Sequence, residues 1–124
     1  MELKMLQFFL YLFVHNQVNP CLSILSQESQ SIVIAVNYQK APEHPFPAPF
    51  NDCYASLKWV VQNAKALGVD SNNISVGGDS AGGNLAAAVA LRCRDEALVD
   101  LASQLLVYPC TNKEFNTSSY LQYS

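Results

Sequence analysis

Ser80 stands two residues from a glycine on either side, in Gly78-Asp79-Ser80-Ala81-Gly82. That spacing could make its hydroxyl a nucleophile. A serine attacks when a sharp strand-to-helix turn lifts its Oγ out of the sheet, and such a turn crowds the backbone on both sides. Glycine relieves the crowding. Side chains at 78 or 82 are expected to strike the neighbouring strand or helix, so both glycines read as steric requirements. The plainer reading is a Gly-rich turn that only joins two elements. Phosphate-binding readings fail: Asn84 follows the last glycine, so no G-x-x-x-x-G-K-[ST] is spelled, and Gly78 to Gly83 is not G-x-G-x-x-G.

A nucleophile of this kind needs a strand before it and a helix after it. Asn73 to Gly77 supplies an apolar, β-branched strand. Ala81 to about Arg94 supplies the helix, whose Ala86, Ala87, Ala88 and Ala90 combine high helix propensity with small volume and allow close packing on the sheet. Arg92, Arg94, Asp95 and Glu96 read as its solvated end.

Further elements follow from periodicity. Ser31 to Tyr38 is a near-continuous apolar run, as expected of a strand covered on both faces. Lys40 to Pro49 carries Pro42, Pro45, Pro47 and Pro49, which exclude helix and central strand and predict a surface loop. Pro49 then suits the first turn of a helix, with Asp52 expected to serve the positive end of its dipole. Apolar residues recur at Phe50, Cys53, Tyr54, Leu57, Val60, Val61, Ala64 and Leu67 at helical spacing, and Gly68 ends the helix. Cys21 to Gln30 reads as a short helix. Ala102 to Tyr108 reads as a strand stopped by Pro109, and the rest as a polar tail. The apolar run Met5 to Val14 is too short to span a bilayer and lacks a small-x-small cleavage site. A buried strand suits it best, and membrane attachment and compartment are left open.

With 124 residues, half of them apolar, one domain is the ceiling. Ten acidic residues against seven basic give a net charge of −3, with no basic run to track a phosphate backbone, so nucleic acid is excluded as a partner. Cys21, Cys53, Cys93 and Cys110 have no metal or redox spacing, so no metal and no cofactor is expected. Cys53 and Cys93 fall on apolar helical stripes and read as small buried hydrophobes.

Taken together, Val36-Asn37-Tyr38-Gln39-Lys40-Ala41-Pro42-Glu43-His44-Pro45-Phe46-Pro47-Ala48, then Asp52, Trp59 and Gly78-Asp79-Ser80-Ala81-Gly82-Gly83-Asn84-Leu85-Ala86, resemble the hormone-sensitive-lipase branch of the α/β-hydrolases. Arylacetamide deacetylase-like carboxylesterases belong to that branch. The resemblance covers Cys21 to about Tyr108 and implies a partial α/β-hydrolase fold, a parallel sheet with flanking helices. It also implies hydrolysis of carboxylic esters, small molecules, through an acyl-enzyme on Ser80. The Ala81 N–H would then be one oxyanion-hole donor, and Gly78 and Gly82 the glycines of the elbow.

The chain departs from the family at three places. His15-Asn16-Gln17 stands where an H-G-G-G segment is expected, Gln39 replaces an arginine, and no histidine follows His44, so the triad's acid and histidine are missing from the matching positions. His44 reads as a surface loop residue, and Asp79 as a support of the elbow. Residues 1–20 are therefore expected to be a divergent apolar segment and residues 21–124 the central part of a truncated hydrolase domain. Two other readings stand beside the esterase: a non-catalytic relative that binds a small apolar ligand or a partner, as gibberellin receptors do, and a cut sheet that persists by association.

Overall fold

Strands and helices alternate along the computed structural model, which describes residues 6–13, 20–114 and 116–123. They are β1 Leu6–Phe13, α1 Pro20–Ser29, β2 Ser31–Asn37, α2 Ala48–Leu67, β3 Val69–Asp79, α3 Ala81–Asp95, β4 Ser103–Val107 and α4 Ser118–Tyr123. Parallel strands cannot be joined by a tight turn and need a crossover of a dozen or more residues. The segments holding α1, α2 and α3 provide it. The four strands accordingly form one parallel sheet in the order β2-β1-β3-β4.

The strand expected in the first apolar run lies in the middle of this sheet. Leu10 of β1 is opposite Ile34 on one side and Val76 on the other, and is fully buried. Around it, Leu57 and Val60 of α2, Ile74 and Val76 of β3, and Val89 of α3 are also buried, each at 1% exposure or less. Burying a side chain of this size stabilises by roughly 1.5–3 kcal/mol, so this layer is the main force holding α2 and α3 to the sheet. Cys53 and Cys93 belong to it as free thiols, as their stripe positions predict.

Helix α2 buries the face expected of it, Cys53, Tyr54, Leu57, Val60 and Ala64, and ends at Gly68, whose φ of 69° is the left-handed conformation glycine adopts without strain. Its start differs from expectation. Asp52 is not in the first turn; its carboxylate accepts the backbone N–H of Gln39 at 2.9 Å and ties the proline loop to the helix. The helix opens with Pro47 as cap and Pro49 just inside it, so fewer N–H groups need a partner there.

Strand β2 also differs. It is the first strand in the order, and Ala35 and Asn37 are exposed, so it is covered less fully than its unbroken apolar run suggests. At the opposite edge β4 leaves Leu105 and Leu106 about 40% exposed. Ser103 donates from its hydroxyl to that of Ser75 at 2.7 Å, pairing a buried polar group of β3 with its register partner. The short helix α4 within the polar tail has no counterpart in the sequence reading. Among the described residues no helix is long and apolar enough to cross a membrane.

Candidate active site

A parallel sheet aims all its strands the same way, so their carboxyl ends share one rim, where ligands of open α/β sheets gather. Ser80 lies on that rim, between the end of β3 and the start of α3, and is exposed. Its backbone, φ 52° and ψ −118°, is one that L-residues rarely adopt. Such conformations cost about 1–3 kcal/mol and persist only where the surroundings impose them.

The surroundings here are specific. The Ser80 N–H donates to the Val107 carbonyl at 2.9 Å, and its own carbonyl accepts the Asn84 N–H at 3.1 Å to open α3. The Asn84 side chain accepts the Cys110 N–H at 2.6 Å, binding the first turn of α3 to the chain beyond β4. As the first residue of α3, Ala81 presents an N–H with no acceptor inside the helix.

Gly77, Gly78, Gly82 and Gly83 are all buried around this turn. Gly83 shows how close the approach is. A Cβ there would stand 3.1 Å from the Gly78 carbonyl oxygen and 3.3 Å from both the Val107 oxygen and the Pro109 Cβ. The G-x-S-x-G spacing points to Gly78 and Gly82 as steric requirements and not to Gly83, for which the second glycine of the Gly82-Gly83 pair is the available signal.

Beneath the turn, Asp79 is held from β1. Tyr11 hydrogen-bonds its carboxylate, and burial followed by that charge pushes the Tyr11 hydroxyl up to about 12. The register explains the meeting, since Tyr11 pairs with Gly77, two residues before Asp79. Asp79 Oδ1 and the hydroxyl of buried Tyr38 have no hydrogen-bond partner among the described residues. Burial, then Cys53 and Asp79, raise the Tyr38 hydroxyl above its ordinary value.

His44 is exposed in the proline loop, its backbone N–H donating to the Lys40 carbonyl at 2.9 Å. His15, Asn16 and Gln17 lie outside the described residues. Cys21 and Cys110 are exposed and are not joined in a disulfide, and the Cys110 thiol donates to the Asn112 carbonyl at 3.2 Å.

The pattern of the α/β-hydrolase fold family matches residues 9–123. This chain belongs to that family. Among curated relatives it is 46% identical over 94 residues to the carboxylesterase NlhH of Mycobacterium tuberculosis, which covers 76% of this chain and 30% of the relative. It is 42% identical over 100 residues to bovine arylacetamide deacetylase, covering 77% and 25%. Among solved structures, a bacterial heroin esterase superposes with a TM-score of 0.86 at 36% identity, covering 94% of this chain and 39% of that one. A hyperthermophilic esterase of Pyrobaculum calidifontis superposes at 0.81 with 39% identity, covering 88% and 37%. The hydrolase segment seen here therefore spans less than half the length of these relatives.

Proposed function

We propose that this chain carries the nucleophile-bearing part of a serine hydrolase acting on carboxylic esters. Ser80 Oγ attacks the acyl carbon, the ester C–O bond breaks, and the alcohol leaves with the proton that Oγ gave up. Water then hydrolyses the acyl-serine and restores the hydroxyl. The Ala81 N–H meets the negative charge that develops on the carbonyl oxygen; such a donor is typically worth ~10²–10³ in rate. Gly78 and Gly82 allow the turn to close around the serine. The observation that carries this reading is the strained backbone of exposed Ser80 between β3 and α3.

The esterase and deacetylase names of the relatives favour ester cleavage over a purely binding role.

The test is p-nitrophenolate release from p-nitrophenyl acetate and butyrate by the chain and its Ser80→Ala variant, both first shown to be folded by circular dichroism. The expected result is a release of about one equivalent per chain that the variant lacks, the mark of acyl-enzyme accumulation. Equal release by both would overturn the reading.

A further inference from the structure

Among the described residues β4 pairs with β3 on one side, and no strand lies against its outer edge. Such an edge is a row of open N–H and C=O groups, which proteins usually guard with a charge, a proline or a bulge. The run Ser103–Val107 has none of these: it is Ser-Gln-Leu-Leu-Val, in unbroken register with β3. Residues Ser103 to Leu106 are all exposed.

The two faces of the strand can be told apart. Ser103 meets Ser75, so Leu105, two residues on, turns to that same face. Gln104 lines a groove of about 340 Å³ with Ala90, Leu91 and Arg94 of α3, so it turns the other way. Leu105 thus projects away from α3 and is 40% exposed, while Leu106 shares the face of Gln104.

We propose that a second copy of this chain occupies this edge, its β4 running antiparallel to the first about a two-fold axis at Leu105. A two-fold contact requires a surface that matches itself. Centred there, the pairing sets Leu105 against the partner's Leu105 and Gln104 against the partner's Leu106. No residue of β4 is charged, so none meets its like. Above the seam the two α3 helices run antiparallel, which keeps Arg94 and Asp95, at the carboxyl end of each, apart. Ala87 lies on the same side of α3 as Leu91, by a spacing of four, and Leu91 is 53% exposed. The copy would cover both.

The surface to be covered is large enough. A compact monomer of 13.6 kDa exposes roughly 6,600 Å². This chain exposes 8322 Å², a surplus of about 1,700 Å² over that scaling. Each partner in a standard interface buries about 800 Å². The strand concerned also carries the Val107 carbonyl that holds the Ser80 N–H, so the pairing would steady that turn.

The test is sedimentation equilibrium of the chain from micromolar to millimolar concentration, with amide hydrogen exchange read by mass spectrometry over the same range. The expected mass rises to twice 13.6 kDa and stops there. Amides of Ser103–Val107 should exchange more slowly as the dimer fills. Leu105→Lys sets two ammonium groups against each other and should weaken the dimer at least about tenfold. If that variant does not fold, the exchange of the wild-type chain decides alone. A monomer throughout overturns the proposal, as does a dimer whose β4 amides exchange equally fast at every concentration. Undiminished dimerisation of a folded Leu105→Lys chain also overturns it. So does growth beyond the dimer, the mark of head-to-tail pairing of β4 with the outer edge of β2 in the next copy.

Discussion

The backbone N–H of Ser80 bonds the carbonyl of Val107, 2.9 Å away on the neighbouring strand. The unusual backbone of Ser80 is thus held by β4 as well as by the elements on either side of it. Strand β4 does more than extend the sheet: it fixes the turn that presents the hydroxyl.

The same closeness makes Gly83 sensitive. A methyl at this position meets two carbonyl oxygens and Pro109, none of which is the free end of a flexible chain. Gly83→Ala should cost about 1–3 kcal/mol through overpacking. Gly68→Ala is the control: it has open space around it but a φ of 69°, so its cost comes from the backbone alone, roughly 1 kcal/mol. Urea denaturation measures both. A Gly83→Ala chain as stable as wild type would refute the close approach of α3 to β4.

Two tyrosines near Asp79 should behave in opposite ways when the hydroxyl is removed. Tyr11 bonds the buried carboxylate, so Tyr11→Phe should destabilise by roughly 1.5–3 kcal/mol, the range for a hydrogen bond to a charged group. The Tyr38 hydroxyl is buried with no partner among the described residues, so Tyr38→Phe should be neutral or stabilising. Thermal melts of the two variants decide the point; equal losses would contradict it.

Glu96 links the two large helices. Its carboxylate accepts the Tyr54 hydroxyl at 2.6 Å and Arg92 Nε at 2.7 Å, with Lys58 Nζ 3.7 Å away. The bonds from Tyr54 and then Arg92 lower its pKa from 4.5 to about 2. A lowered carboxylate stabilises the fold above its unfolded pKa of about 4.5, and the contribution is lost as pH falls toward 2. Glu96→Gln should therefore flatten the fall in stability between pH 4.5 and 2, the interval those two values define. Denaturation midpoints across that interval give the slope; an unchanged slope would mean that the contact contributes nothing in solution.

Tyr11 provides the alkaline counterpart. Its hydroxyl is raised from 10 to about 12, chiefly by burial and then by Asp79, so the folded chain holds this proton more tightly than the unfolded one. That stability is complete below pH 10 and disappears as pH rises toward 12. Tyr11→Phe should remove this part of the alkaline loss, read from melting temperatures at stepped pH.

The elements that position the serine were legible because their signals are local. The helical spacing from Phe50 to Leu67, the stop at Gly68 and the strand–turn–helix around Ser80 each depend on residues close in sequence. What was not legible depends on partners far along the chain. Asp52 has the right chemistry for a helix N-terminus, yet its carboxylate serves Gln39, thirteen residues earlier. Tyr11 and Asp79 meet only because β1 lies beside β3, and a single strand pattern does not disclose its neighbours. The run from Ser31 to Tyr38 reads as fully covered because burial on one face and on two produce similar apolar strings at this length. Helix α4 has only six residues, too few to leave a periodicity.

The central claim is that Ser80 is the nucleophile. The chain would be treated with a fluorophosphonate after its fold is confirmed, and the adduct located by peptide mass spectrometry beside the Ser80→Ala variant. A single adduct on Ser80, absent from the variant, is the predicted result. A folded chain that stays unlabelled, or carries its label on another serine, would contradict the account.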